Sequence, residues 1–221
     1  MVKPAGGGGP SPDLLREVLA EAGIEVFADV AERLAVHANE MLRWNRSIRL
    51  TAIVDPVEVA TKHVADSLLP LRFAPFPGRL LDFGSGAGYP GIPLALYLPG
   101  TRVTLLEASV KKCAFLSRIR GMLGLSNVEV VQGRLDQRGN PALKTYDHIV
   151  TRATASPAEV ILLLSPYLAD GGRFLFMMGP GAREGVPGEV PGTVTLRRER
   201  FHLPRGMGER EIVEIEPVGK E

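Results

Sequence analysis

The sequence predicts an α/β fold: a mostly parallel sheet with helices on both faces, preceded by a helical cap. Three observations predict it. Beyond Gly78, short apolar runs alternate with helical patterns, the mark of strand–helix–strand units around a parallel sheet. Near the end, residues 194–203 and 209–217 flank Pro204-Arg205-Gly206-Met207-Gly208, which reads as an antiparallel hairpin. Ahead of Gly78 the chain carries helical periodicity and cap signals.

The order of elements follows from these signals. Gly6–Gly9 and Pro10 make residues 1–10 a flexible tail. Residues 11–78 form the cap. Ser11 caps a first helix with Pro12 at its first position, Leu14, Leu15, Val18 and Leu19 as its apolar stripe, and Gly23 as its stop. A second helix carries Val30, Leu34, His37 and Met41 on one face and ends near Trp44. His37 in that stripe reads as a packed core residue, and Trp44 as a packing anchor. Asp55-Pro56-Val57-Glu58 has the form of a capping box and opens a third helix through His63, Asp66 and Leu69. Pro70, Pro75 and Pro77-Gly78 then break the pattern and mark the boundary of the core, residues 79–221. Strands are expected at 79–83, 102–106, 128–132, 146–150 and 173–177, with helices at 90–98, 110–123 and 157–168.

Composition narrows the class. A chain of 221 residues makes one domain with a helical appendage. The net charge of +1 gives no strong basic field, although arginines gather at Arg43, Arg46 and Arg49 and again at Arg197, Arg198 and Arg200. The single cysteine, Cys113, allows neither a disulfide framework nor a cysteine-built zinc site, so no metal is expected. No apolar run is long enough for a membrane span and no secretory core follows Met1. A cytoplasmic monomer is the expectation.

The chemistry-bearing stretch is Leu80-Leu81-Asp82-Phe83-Gly84-Ser85-Gly86-Ala87-Gly88-Tyr89-Pro90-Gly91. An apolar run, an acid and alternating glycines read as a strand feeding a loop around a nucleoside-containing cofactor, since glycines admit close backbone approach. Glu107 follows at the end of the next apolar run, where an acid can accept both hydroxyls of a ribose. Gly86-Ala87-Gly88-Tyr89-Pro90-Gly91 also matches the dinucleotide fingerprint, so an NAD-dependent oxidoreductase is a rival. Against it, the match starts three residues past the strand, and Pro90 has no N–H to offer a pyrophosphate.

The loop with its distant acid resembles that of S-adenosylmethionine-dependent methyltransferases. A wider set of motifs is more specific. Arg43-Trp44-Asn45-Arg46, Leu50-Thr51-Ala52-Ile53, Asp55-Pro56, His63 with Asp66-Ser67-Leu68, and Thr151-Arg152-Ala153 resemble the RsmG (GidB) family over about residues 13 to 182. The resemblance implies a seven-stranded, Rossmann-like class I methyltransferase sheet with a helical N-terminal cap. It implies transfer of a methyl group from S-adenosylmethionine to N7 of a guanine in bacterial 16S rRNA, with 16S rRNA or the small ribosomal subunit precursor as partner. It implies a cofactor site made of Asp82, Gly84, Ser85, Gly86, Gly88, Tyr89, Glu107, Ala108, Ser109, Leu135, Asp136 and Arg152. Arg152 is also the catalytic candidate. Asn45, Arg46, His63 and Asp66 are candidates for the RNA side, His63 and Asp66 having an equal claim to a structural bond between cap and core. The acceptor reading fits the residues: 151–156 lacks the Asn/Asp-Pro-Pro-Tyr/Phe loop of amine methylation, and Cys113 sits mid-helix at an apolar position. A small-molecule methyltransferase is the second enzymatic alternative. The chain departs from the family at Arg49, usually Asn, and at Met178, usually Lys.

Overall fold

The computed structural model describes residues 8–135, 139–152, 156–179 and 190–218. Helix α1 (Pro12–Glu21) starts at Ser11, whose hydroxyl accepts from the Leu14 N–H at 3.1 Å. It ends where Gly23 takes a left-handed conformation, φ 71°. Just ahead of α1, the Gly9 N–H donates to Asn39 Oδ1 at 2.8 Å and the Asn39 amide donates to the Pro10 carbonyl at 3.1 Å. Helix α2 (Ala28–Asn45) buries Leu34, His37 and Met41, the face that periodicity marked.

The third cap helix departs from expectation. Asp55 Oδ1 accepts from the Val57 and Glu58 N–H groups and opens α3 (Pro56–Val59). Glu58 does not return the bond that would complete a capping box. It pairs with Lys62 one turn on. The chain then widens into a π-helix over Ala60–Ala65, resumes as α4 (Asp66–Leu68) and tightens into a 3-10 turn, Leu69–Phe73. Local sequence carries no signal for that widening: the segment's partners, Thr51 in the cap and Arg152 on the core, lie elsewhere in the chain.

The sheet has seven strands in the order β3-β2-β1-β4-β5-β7-β6. Strands β1 (Arg79–Phe83), β2 (Arg102–Glu107), β3 (Val128–Gln132), β4 (Tyr146–Arg152) and β5 (Leu168–Met178) run parallel. Strand β7 (Glu209–Pro217) enters antiparallel to β5, and β6 (Thr193–His202) pairs with β7 at the edge. Helices α5 (Gly91–Tyr97), α6 (Val110–Met122) and α7 (Pro157–Leu164) connect the strands. Successive strand residues face opposite layers, and the core divides accordingly. Leu80, Val103 and Leu105 join α5, α6 and all of the cap in one apolar cluster. Leu81, Leu106 and Ile149 pack with α7 in the other. The cap is therefore continuous with one layer of the core.

Three strands outrun their expected ends: β5 by one residue, to Met178, and the two that flank β1. Strand β2 reaches Glu107 and β4 reaches Arg152. Because β2 and β4 flank β1, these two residues stand on either side of the glycine loop, where the strand order reverses and open α/β sheets place their ligands.

Candidate active site

The loop leaving β1 is held by its own backbone and by the neighbouring strand. The Gly84 and Ser85 N–H groups donate to the Leu106 carbonyl at 2.9 and 3.1 Å. The Ser85 carbonyl accepts from Gly88 and Tyr89, and the Ser85 hydroxyl donates to the Asp82 carbonyl at 2.9 Å. Gly84, Gly86 and Gly88 all have positive φ, at 76°, 57° and 87°, a conformation that side chains disfavour. Glu107 ties the loop to the next helix. One of its oxygens accepts from the Gly86 N–H at 2.9 Å, the other from the Ser109 N–H at 2.8 Å.

The predicted site residues fall into two layers. At the rim, Ala108 is exposed, Gly84, Gly86, Ser109, Leu135 and Arg152 are half-buried, and Glu107 is buried. Asp82, Ser85, Gly88 and Tyr89 are buried below and support the loop. Asp82 is 1% exposed; its Oδ2 accepts from the Gly91 N–H at 2.9 Å while Oδ1 has no partner among the described residues. Through the Gly91 bond Asp82 holds the loop from below. Burial pushes its carboxyl up to about 7, against the lowering pull of the Gly91 bond.

Tyr89 is sandwiched between two histidines from the cap. Its ring centre lies 4.5 Å from that of His37 and 4.9 Å from that of His63, with interplanar angles of 27° and 15°. The stack continues from His37 to Phe115 at 6.2 Å, and Phe115 meets Trp44 in a tilted contact at 5.7 Å and 59°. His37 is the buried residue its periodicity implied, and it also grips the loop: Nε2 lies 2.8 Å from the Ala87 carbonyl. A carbonyl only accepts, so Nε2 carries the proton. Burial lowers the His37 pKa to about 4, against the raising effect of that bond. His63 falls to about 3, through burial first and then the charges of Arg152 and His37. Both rings are neutral near pH 7. His63 Nε2 lies 2.8 Å from Thr51 Oγ1, within the cap.

Of the RNA-side candidates, Asp66 meets the rim. Its buried carboxylate accepts from Arg152 Nη1 at 3.1 Å and from Arg210 Nε at 3.1 Å, joining cap to core. Asn45 organises its own loop: Oδ1 accepts from the Leu50 and Thr51 N–H groups, and its amide donates to the Thr51 carbonyl. Arg46 is exposed at the end of α2 and has no side-chain partner among the described residues. Asp136 lies outside the described residues. Cys113 is buried, donates to the Glu107 carbonyl at 3.2 Å, and its thiol is pushed up by burial and by Glu107. Among the described residues no group of three or more His, Cys, Asp or Glu could hold a metal, and no helix is long and apolar enough to cross a membrane.

The family described as rRNA small subunit methyltransferase G, GidB, matches residues 30–194, more than half of the chain. This chain belongs to that family. Among its curated relatives is the ribosomal RNA small subunit methyltransferase G of Solibacter usitatus, 40% identical over 189 residues, 82% of this chain and 88% of that protein. The enzyme of the same name from Chromohalobacter salexigens is 38% identical over 198 residues, 89% and 93% of the two chains. Solved structures share the fold. TrmN from Thermus thermophilus superposes with a TM-score of 0.53 at 19% identity, covering 68% of this chain and less than half, 48%, of that one. TYW2 of M. jannaschii, crystallised with AdoMet, gives 0.51 at 17% identity, covering 69% and 73%. At such identities the likeness is one of fold, and the fold is that of Rossmann-like class I methyltransferases.

Within this GidB-family chain, three participants escaped the sequence reading. Thr51 was visible as part of a motif, but its bond to His63 was not. His37 was visible as an apolar-face residue; its Ala87 contact depends on the loop folding back under α2. Arg210 sits 144 residues from Asp66, and no local pattern marks such a partner.

Proposed function

We propose that the chain transfers a methyl group from S-adenosylmethionine to N7 of a guanine in 16S rRNA, acting on the RNA or on the small-subunit precursor. We further propose that it does so as a cytoplasmic monomer without a metal. The observation that carries the reading is the family match over residues 30–194. The site's chemistry supports it.

The residues present suit the donor. Gly86 leaves open the place where a Cβ would stand, the nearest heavy atom being the Gly84 carbonyl oxygen at 3.8 Å. Gly84 and Gly86 would admit the methionine arm against bare backbone. Each carboxylate oxygen of Glu107 has a second lone pair beyond the one taken by the loop, so the acid could accept a ribose diol without releasing Gly86. Ala108, Ser109 and Leu135 would border the adenine. When bound, S-adenosylmethionine supplies a methyl group already activated on a sulfonium, so the protein's task is chiefly to position.

The acceptor side agrees with N7. The Cys113 thiol is buried, bonded and raised in pKa, which suits packing and not nucleophilic attack. His63 is neutral but tied to Thr51. Guanine N7 requires neither nucleophile nor base, because its lone pair is free. Arg152 would lie against the cofactor and the RNA phosphate or target base.

The dinucleotide rival loses its anion site. Pro90 offers no N–H, the Gly91 N–H donates to Asp82, and the Ile92 N–H donates to the Gly88 carbonyl at 2.8 Å. The test is incubation with methyl-labelled S-adenosylmethionine and small-subunit RNA from cells lacking the modification, then digestion to nucleosides. Label in 7-methylguanosine is expected. Label on another nucleoside, or turnover that ignores RNA, overturns the assignment.

A further inference from the structure

Asp66 is 1% exposed at the start of α4, yet it faces two guanidinium groups. Arg152, at the end of β4, reaches Oδ2 through Nη1; Arg210, on β7, reaches Oδ1 through Nε. Arg210 is itself steadied by a 2.8 Å bond from Nη1 to the Glu209 carbonyl. One carboxylate balances one of these charges, so the trio keeps a surplus positive charge beside the rim. The π-helix adds a further tie. The Asp66 N–H bonds to the Thr61 and His63 carbonyls and passes over that of Lys62. Arg152 Nη1 donates to the Lys62 carbonyl at 3.2 Å.

Every hydrogen bond of the Arg152 side chain among the described residues leaves from this one nitrogen. Its Nε and Nη2 have no partner there, and its guanidinium carbon lies 5.9 Å from the Tyr89 ring centre. An arginine alone with a carboxylate favours a two-point fork. Here the Arg210 guanidinium stands at the second oxygen, and its like charge and bulk oppose a further Arg152 bond there, so Arg152 keeps a single-point hold.

We propose that Arg210, acting through Asp66, is a positioning residue that keeps the Arg152 guanidinium extended over Tyr89 toward the acceptor. The proposal rests on the role proposed for Arg152. Without Arg210, Asp66 Oδ1 is vacant. Arg152 then turns into the fork, Nε and Nη2 draw back from the rim, and the surplus charge disappears. A lysine at 210 still places an N–H donor on Oδ1 and preserves the arrangement.

The experiment compares the unsubstituted protein with Arg210→Gln and Arg210→Lys. It measures steady-state transfer to unmodified small-subunit RNA, melting temperature, and the Arg152 Nε–H resonance in 15N-arginine spectra, assigned through Arg152→Lys. Arg210→Gln is expected to lower kcat by about tenfold to a hundredfold, the scale of a displaced positioning group. The KM for S-adenosylmethionine should stay within about twofold, and the Arg152 resonance should move. Arg210→Lys should recover most of kcat. An unchanged kcat overturns the proposal. So do losses of kcat, cofactor affinity and melting temperature together in both variants, which would mark a structural brace. If the unsubstituted protein methylates no small-subunit RNA, the functional reading fails by itself. The resonance then decides the clamp: a shift in Arg210→Gln supports it, and an unmoved signal overturns it.

Discussion

Glu107 holds two backbone groups at once, Gly86 on the loop and Ser109 at the start of α6. Glutamine in its place keeps one acceptor and turns an amide donor toward a backbone N–H. One of the two bonds is then lost, and hydrogen bonds to charged groups contribute about 1.5–3 kcal/mol. Glu107→Gln is therefore expected to weaken S-adenosylmethionine binding by about tenfold or more, measured by calorimetric titration. Unchanged affinity would mean the acid serves the loop alone. At this scale the sequence was informative wherever chemistry repeats at a fixed spacing. Glu107 was legible because it ends the strand after the glycine loop. Asp82 was legible as an acid under the loop, although only the fold shows that solvent cannot reach it. Arg210 was illegible, since its meaning comes from a carboxylate far away in the chain.

Elements were read with more success than their distortions. The strands and helices of the core lie within a few residues of their expected bounds, save β5, which starts at Leu168 and not at 173. Their periodicity reports burial directly. The π-helix at Ala60–Ala65 was invisible, because a widened turn repeats no local pattern and is maintained by Arg152 and Thr51 from elsewhere. Packing between elements gives a prediction at the junction of loop, α2 and α6. A Cβ at Gly88 would stand 2.7 Å from Ile92 Cγ1, 3.1 Å from Leu116 Cδ2 and 3.2 Å from His37 Nε2, at φ 87°. Overpacking and the left-handed backbone together cost about 2–4 kcal/mol. Gly88→Ala should lower the denaturant midpoint accordingly. Gly100→Ala, where nothing lies within 4 Å, should change it little. Equal midpoints for the two variants would contradict this packing.

For the molecule as a whole, buried titratable groups at the cap–core junction set the response to pH. His37 and His63 have folded pKa values of about 4 and about 3, below the ordinary 6.5. As pH falls through 6.5, the unfolded chain binds two protons that the folded chain refuses, so stability is lost. Asp82 opposes this. Its folded pKa of about 7 exceeds the ordinary 3.8, so over the same window the folded chain binds a proton that the unfolded chain lacks. The balance is one proton in favour of the unfolded state, a loss of about 1.4 kcal/mol per pH unit between 6.5 and 4. His148, also lowered by burial, adds in the same direction. Melting curves between pH 7 and 4.5 should show this decline. Asp82→Asn should steepen it, and His37→Gln should flatten it. A flat profile in the unsubstituted protein would contradict the burial of both imidazoles.

The chain of ring contacts from His63 through Tyr89, His37 and Phe115 to Trp44 links the π-helix, the glycine loop, α6 and α2. Swinging the helical layer aside would unstack it at several points together, with the loop's own aromatic at its heart. A donor seated as proposed would then enter and leave from the solvent side of Gly84 and Gly86, with cap and core staying closed together.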